Sequence, residues 1–290
     1  MSRIDLHLHS TCSDGTLSPA ELIDLAVAAG LSTVALCDHD TVAGIPEAMQ
    51  YGAERQIEVI PGVELSVSFG SHDDVHLLGY GINIQEEQLL KRLALFSERR
   101  SGRNRDILCK INHLLTLQQR EPLSHEEVEV LAGGVMGRPH IARALMARGY
   151  VASMQQAFEL YLIPCNVPKY YWPMQEALSA LHHAGGAAVL AHPTSISRDL
   201  RELEAIITQL AAEGLDGIEV YNSLATEQET AQLYRLALRL GLLITGGSDY
   251  HGISDTERIG KGRGGIGFPD TMLPPLCARI KQYCVTTVSG

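Results

Sequence analysis

The sequence has no apolar run long enough to cross a bilayer, and its N-terminus has no basic flank followed by an apolar stretch. Neither a membrane span nor a secretory signal peptide is expected. There is no CxxC pair and no dense cysteine framework. Cys12, Cys37, Cys109, Cys165, Cys277 and Cys284 are scattered over 290 residues, which suits reduced thiols in the cytoplasm. Basic residues are not in excess: 23 Lys and Arg stand against 34 Asp and Glu, a net charge of −11. That balance argues against stable binding of duplex nucleic acid or an anionic membrane. Bound ions would change it locally, since two or three divalent cations add about +4 to +6 at one place. Internal repeats are also missing. What remains is an ordinary globular balance, 45% hydrophobic and 20% charged. The length suits one large α/β domain or a domain with an insert.

Against these absences stand twelve histidines. The chain opens with Asp5-Leu6-His7-Leu8-His9, then a serine-rich turn with Asp14 and Gly15. As a strand, it alternates Ile4, Leu6 and Leu8 with Asp5, His7 and His9. Two imidazoles one alternation apart, followed by a carboxylate, form a plausible start to a metal site. Ser18-Pro19-Ala20-Glu21 reads as a capping box opening a helix that Gly30 stops. The apolar run 33–37 reads as a buried parallel strand and ends in Asp38-His39-Asp40. A helix over 44–56 precedes a strand over 57–61, which carries Gly62-Val63-Glu64 at its end. Residues 65–69, a polar turn over 70–74, and a strand over 75–80 containing His76 follow.

From about 84 to 173 strand signals vanish and charged helical patterns replace them. Residues 85–117 read as one long helix or two, Ser124 to Glu127 as a capping box, and 153–162 as a further helix. We expect an inserted, mostly helical subdomain over 84–173, with the main domain formed by 1–83 and 174–290. The βα rhythm then resumes. Strands over 187–190, 217–220 and 242–245 end in Ala191-His192-Pro193, Tyr221-Asn222 and Gly246-Gly247-Ser248-Asp249-Tyr250-His251. A glycine-rich loop over 260–267 and a short helix near 276–282 complete the chain. That loop lacks a strand-loop-helix context and does not read as a phosphate loop.

The candidate ligands sit at or just after predicted strand ends: His7, His9, Asp14, His39, Glu64, His76, His192, Asp249 and His251. In a β/α barrel those ends share the face where active sites are built. Nine ligands exceed what one ion needs and suit two or three, with a carboxylate such as Glu64 able to bridge. Imidazole and carboxylate together suit manganese, iron or zinc. Cys12 and Cys37 read as small thiols beside this site and not as ligands.

The motifs His7-Leu8-His9 with Asp14, Asp38-His39-Asp40, Gly62-Val63-Glu64, Ala191-His192-Pro193 and Ser248-Asp249-Tyr250-His251 resemble those of the polymerase-and-histidinol-phosphatase (PHP) superfamily. The resemblance implies a distorted (β/α)7 barrel with two or three metals. It implies one metal at His7, His9, Glu64 and Asp249, a second at Glu64, His76 and His192, and a third at Asp14, His39 and His251. Within the superfamily, Glu98-Arg99-Arg100 with Arg103, and Gly137-Arg138-Pro139-His140, resemble the branch of nucleoside 3′,5′-bisphosphate phosphatases and 5′-to-3′ exoribonucleases. The loop Pro164 to Pro173 departs from that branch's pattern, with Lys169 a substitute for its usual lysine.

These readings imply a metal-dependent phosphoesterase. A metal-activated hydroxide would attack a nucleoside 3′,5′-bisphosphate or the 5′ end of a short RNA. Asp249 and His192 are candidate proton shuttles as well as ligands. Arg99, Arg103, Arg138, His140 and Lys169 are candidates for a second phosphate, for which arginine's planar fork is suited. The insert would roof the metal face. The alternatives are a histidinol-phosphate phosphatase and a non-catalytic metal-binding scaffold. The expected partner is a small phosphorylated substrate, with no membrane and no stable duplex.

Overall fold

A computed structural model describes residues 4–132, 136–254 and 257–288. Contacts divide the chain into two compact units, Met1–Leu93 with Tyr171–Gly290, and Ala94–Tyr170.

The first unit is a barrel. In chain order it contains β1 (Ile4–Leu8), α1 (Pro19–Ala28), β2 (Thr33–Leu36), α2 (Ile45–Arg55), β3 (Glu58–Phe69), β4 (His72–Tyr80) and the start of α3 (Glu87–Leu117). The second unit takes the rest of α3, then α4 (His125–Ala132), α5 (Arg138–Ala147), α6 (Met154–Ala157) and a wide π turn at Phe158–Leu162. The barrel resumes with β5 (Trp172–Pro173), α7 (Met174–His183), β6 (Ala187–Leu190), α8 (Leu200–Ala212), β7 (Gly217–Tyr221), α9 (Glu227–Leu240), β8 (Leu243–Gly246) and α10 (Leu273–Val288). No helix among the described residues is long and apolar enough to cross a membrane.

The strands follow the order β1-β2-β3-β4-β6-β7-β8, with β5 paired to β3 off this path. All neighbours on the path are parallel except β3–β4 and β4–β6, which are antiparallel. One reversed strand therefore sits in an otherwise parallel set. The ring closes beyond β8, where Asp249 N donates to His7 O and His9 N donates to Tyr250 O, both at 3.0 Å. The result is a distorted seven-stranded barrel. Its strands read as apolar runs because they are buried on both sides: all of β1, β2 and β6 is buried. Ile4, Leu6, Ala35, Leu78, Tyr80 and Val189 share one core cluster, and the Tyr80 hydroxyl is satisfied by the Leu6 carbonyl at 2.9 Å.

Local signals account for the helices. Ser18 Oγ accepts from Glu21 N while Glu21 Oε2 accepts from Ser18 N, which starts α1. Thr226 and Glu229 make the same box at α9, and Gly241 ends that helix at φ 67°. Residues 85–117, read as one helix or two, contain the single 31-residue helix α3, about 46 Å long. The helix expected over 153–162 is instead a single α turn followed by the π turn. The C-terminal helix starts earlier than 276, because Pro274 and Pro275 lie in its first turn, where no intrahelical N–H is required.

Two strand boundaries differ in ways that matter for the site. Residues 58–69 form one twelve-residue strand, so Glu64 lies inside β3 and not at its end. β3 continues past the end of β2 because it pairs along its length with β4, from Gly62–Tyr80 to Phe69–His72. His76 likewise lies inside β4, and β4 runs in the opposite direction to its neighbours.

The unit boundaries fall inside the 84–173 stretch. The start of α3 is tied to the barrel by Arg92, which bonds Glu176 at 2.5 Å. Trp172 pairs with Val67 of β3. The second unit has its own apolar core, with Ile107, Ile111, Leu115, Val128, Ile141, Leu145 and Tyr161.

Candidate metal centre

The first ligand pair comes from β1 and the residue after it. His7 and His9 are fully buried. Their strand is not a simple alternation, since the β1–β2 register shifts between Asp5 and Leu8. Asp5 turns to Ser248 N (2.9 Å), Ser248 Oγ (2.6 Å) and Gly260 N (2.7 Å). Burial raises its pKa to about 6, against the pull of those hydrogen bonds. Asp5 thus ties the start of the chain to the segment bearing Asp249. Gly247 allows the close approach: a Cβ there would lie 2.2 Å from His7 Cβ.

Two further carboxylates hold loops without joining the ligand groups. Asp38 accepts from Ser10 N, Ser10 Oγ and Ser13 Oγ, each at 2.7 Å, and so folds the 10–15 turn that carries Asp14. Asp40, in the left-handed region at φ 54°, accepts from Ser66 N and Ser66 Oγ at 2.8 and 2.9 Å. His39 is held between these two anchors.

All nine sequence candidates converge. Among the described residues three ligand groups form: His7, His9, Glu64 and Asp249; His9, Asp14, His39 and His251; and His39, Glu64 and His76. Within each, the donor atoms lie within 4.8 Å of one another. Glu64 is central and fully buried. Its Oε1 lies 3.0 Å from His76 Nδ1 and 3.0 Å from His192 Nε2. Its Oε2 lies 3.3 Å from His7 Nε2, 3.2 Å from His9 Nε2 and 3.1 Å from His39 Nδ1. Asp249 Oδ1 is 3.1 Å from His9 Nε2, and Asp14 Oδ1 is 3.3 Å from His251 Nε2. The sequence grouping differs in three respects: His9 also joins Asp14, His39 and His251, His39 also joins Glu64 and His76, and His192, expected with Glu64 and His76, stands outside the three groups while facing Glu64 Oε1 at 3.0 Å.

The donor set matches divalent cations. His7 Nε2, both nitrogens of His9, His39 Nδ1, Glu64 Oε2 and Asp249 Oδ1 are buried with no hydrogen-bond partner. Buried polar atoms without partners are costly, and here they point at one another at distances a shared cation would bridge. Protonation is contested within the group. Burial disfavours charge on His9, but Asp249 and Glu64 outweigh it and raise its pKa to about 10. Burial pushes His39 well below its ordinary value. Glu64 and Asp249 are held far below the carboxylate range by the surrounding imidazoles, despite their burial.

A supporting layer was not anticipated from the sequence. Glu219 of β7 is fully buried. Its Oε1 accepts from His7 Nδ1 at 3.0 Å and its Oε2 accepts from His192 N at 2.8 Å. Glu257 accepts from His251 N and Gly252 N through Oε2 at 2.9 and 2.7 Å. His192 Nδ1 is 2.9 Å from Ser195 Oγ. The available signal for Glu219 was a carboxylate in the apolar run Gly217-Ile218-Glu219-Val220. A buried charge there requires a partner. Cys37 is buried, with Sγ 3.6 Å from Leu6 O, and burial pushes its thiol up.

The candidates for a second phosphate all belong to the Ala94–Tyr170 unit. Arg99 lies over the Tyr170 ring at 3.8 Å, and Phe96 packs on the same ring at 5.0 Å. Arg103 donates to Val167 O at 2.7 Å and Asn166 Oδ1 at 2.8 Å, holding the following loop. Arg138 lies over Phe158 at 5.7 Å, and His140 Nδ1 accepts from Gly137 N at 3.0 Å, capping α5. Lys169 is exposed in the loop that Arg103 holds.

Comparison with known proteins is consistent with this geometry. The PHP domain model matches residues 5–163. A 3′,5′-nucleoside bisphosphate phosphatase from Chromobacterium violaceum is 34% identical over 295 residues, covering 97% of this chain and 95% of that protein. A 5′-3′ exoribonuclease from Haemophilus influenzae is 32% identical over 275 residues, covering 94% and 97%. A solved structure from Bifidobacterium adolescentis, assigned as a metal-dependent phosphoesterase, superposes with a TM-score of 0.79. It is 29% identical and covers 95% of this chain and 96% of that one.

Proposed function

The chain belongs to the PHP domain family, and from that premise we propose that it is a metal-dependent phosphoesterase acting on nucleoside 3′,5′-bisphosphates and on the 5′ end of short RNA. The observation that carries this reading is Glu64. Its two oxygens face different sets of imidazoles, so one buried carboxylate would serve adjacent cation positions. Divalent ions bound there would supply Lewis acidity, making water a nucleophile near neutral pH and neutralising phosphate oxygens.

The chain's own residues do the rest. His7, His9, Glu64 and Asp249 would hold one ion. Glu64, His76 and His192 would hold a second, and Asp14, His39 and His251 a third. Histidine with carboxylate suits manganese, iron or zinc. Asp249 and His192 border the group and are the candidates to carry a proton toward the leaving oxygen. Arg99, Arg103, Arg138, His140 and Lys169 would bind a second phosphate. The two relatives are named for a nucleoside 3′,5′-bisphosphate and for RNA taken from its 5′ end, and each of those molecules carries more than one phosphate. A cytoplasmic location agrees with nucleotide substrates.

The test uses the purified chain with Mn2+ and three substrates: adenosine 3′,5′-bisphosphate, a 5′-phosphorylated oligoribonucleotide and histidinol phosphate. Released phosphate and product lengths are followed. Turnover of either of the first two is expected. No turnover of any, with Mn2+ shown to be bound, would refute the enzyme reading. A preference for histidinol phosphate would refute the substrate reading.

A further inference from the structure

Glu219 contacts His7, a member of one ligand group, and His192, which faces the shared Glu64, without belonging to any ligand group itself. One oxygen accepts from the imidazole of His7, whose other nitrogen faces Glu64 Oε2 at 3.3 Å and Asp249 Oδ1 at 3.5 Å. The other oxygen accepts from the backbone N–H of His192, whose side chain faces Glu64 Oε1. His192 has φ 23° and ψ 64°, a conformation that L-residues rarely adopt. Glu219 is fully buried between them.

We propose that Glu219 is a positioning residue that fixes the His7 proton on Nδ1, leaving the Nε2 lone pair for a cation, while holding the strained His192 backbone. This inference rests on the reading of the cluster as a metal centre. The chemistry is that of hydrogen bonding. A carboxylate only accepts, so its partner nitrogen on His7 must donate. A neutral imidazole has one N–H, and a proton on Nδ1 leaves Nε2 as a ligand. The His192 contact is a backbone N–H and cannot change its role.

Glu219→Gln separates this role from packing. The side chain keeps its shape but presents one acceptor and one donor. The backbone N–H of His192 takes the amide oxygen. The amide N–H then faces His7 Nδ1, which becomes the acceptor and moves its proton to Nε2, into the cluster. Affinity should therefore fall at the His7, His9, Glu64 and Asp249 position and not at the others. Mn2+ is titrated into the metal-stripped full chain by calorimetry, alongside a thermal melt of the metal-free protein. One binding step should weaken about 10- to 100-fold, with the metal-free melting temperature nearly unchanged.

A double-mutant cycle with His7→Ala completes the test. In that background Glu219→Gln should add little, because the side chain it acts through is gone. Additive losses, a uniform weakening of every step, or unchanged affinity would overturn the proposal. Failure of the wild-type chain to bind Mn2+ at all would instead refute the metal-centre reading and this inference with it. Should the variant fail to fold, the wild-type chain loaded with diamagnetic Zn2+ decides: nitrogen NMR should show a proton on His7 Nδ1, and a bare Nδ1 overturns the assignment.

Discussion

Replacing Asp216 with Asn tests the structural argument in a part of the barrel that uses no metal. Asp216 directly precedes β7 and is 3% exposed. Its Oδ2 lies 2.8 Å from His182 Nε2 and accepts from Ala188 N at 2.8 Å. Its Oδ1 accepts from Tyr283 O–H at 2.9 Å and from Arg279. One carboxylate thus joins α7, β6 and α10. In Asp216→Asn the amide oxygen can serve Tyr283 and Arg279, but the amide N–H then meets the Ala188 N–H donor to donor. Removing one partner from a buried charged pair costs about 3–5 kcal/mol. Arg279 is about one-third exposed, and water would screen part of that loss, so we expect about 2–3 kcal/mol. For a chain of this size that is a fall of about 5–10 °C in melting temperature. Surrounding donors hold the Asp216 pKa below its ordinary 3.8, despite burial. A depressed folded-state pKa contributes stability above the unfolded value and loses it as pH falls through the folded value. The difference between wild type and variant should therefore be full at neutral pH and shrink below about pH 3.8. Thermal and urea unfolding of the metal-free proteins across pH measure this. A shift under 2 °C at pH 7, or a difference that grows on acidification, would refute the reasoning.

Three other perturbations report on the site. Glu64→Gln removes the shared carboxylate, so Mn2+ binding measured by calorimetry should weaken in at least two steps and turnover should fall at least about 1000-fold; full retention of both would remove its bridging role. Arg138→Ala should raise KM for adenosine 3′,5′-bisphosphate about tenfold or more, while use of a simple monophosphate changes little; equal losses in the two assays would remove its proposed contact. Gly247→Ala places a methyl 2.2 Å from His7 Cβ, so β1 must shift, with a loss of about 2 kcal/mol or more in urea unfolding and weaker Mn2+ binding; an unchanged denaturation midpoint would show that the strands can part without cost.

The barrel and the position of its chemistry are legible in the sequence because parallel strands read as apolar runs, and a polar side chain after such a run stands out. His9, His39 and Asp249 announce themselves in this way. Glu64 and His76 do so only by accident. Each lies inside a strand of the β3–β4 pair, and the reversal of β4 brings its first half to the rim where the other strands end. Alternation along one strand cannot report the direction of its neighbour. The simple alternation of β1 also fails, because a register shift sends Asp5 and His7 to different partners. Glu219 and Glu257 escape notice for a further reason. The partners of Glu219 are a distant imidazole and a distant backbone N–H, contacts that no local spacing encodes, and Glu257 caps backbone N–H groups of its own loop, which have no side-chain pattern to mark them. The stop of α6 after one turn has no comparable signal in its residues, which continue a helical pattern through Leu162.

The closing ladder of the barrel, Asp249 N to His7 O and His9 N to Tyr250 O, joins the first strand to residues near the end of the chain. The adjoining contact between Asp5 and Ser248 spans 243 positions. A ribosome adding roughly 5–20 residues per second needs about 12–50 s to cover that interval. Through most of it, His7 and His9 are already made while Asp249 and His251 are not. The ligand pair His7 and His9 is therefore made long before its destined partners exist. Final selection among the cell's ions can begin only when the seam shuts.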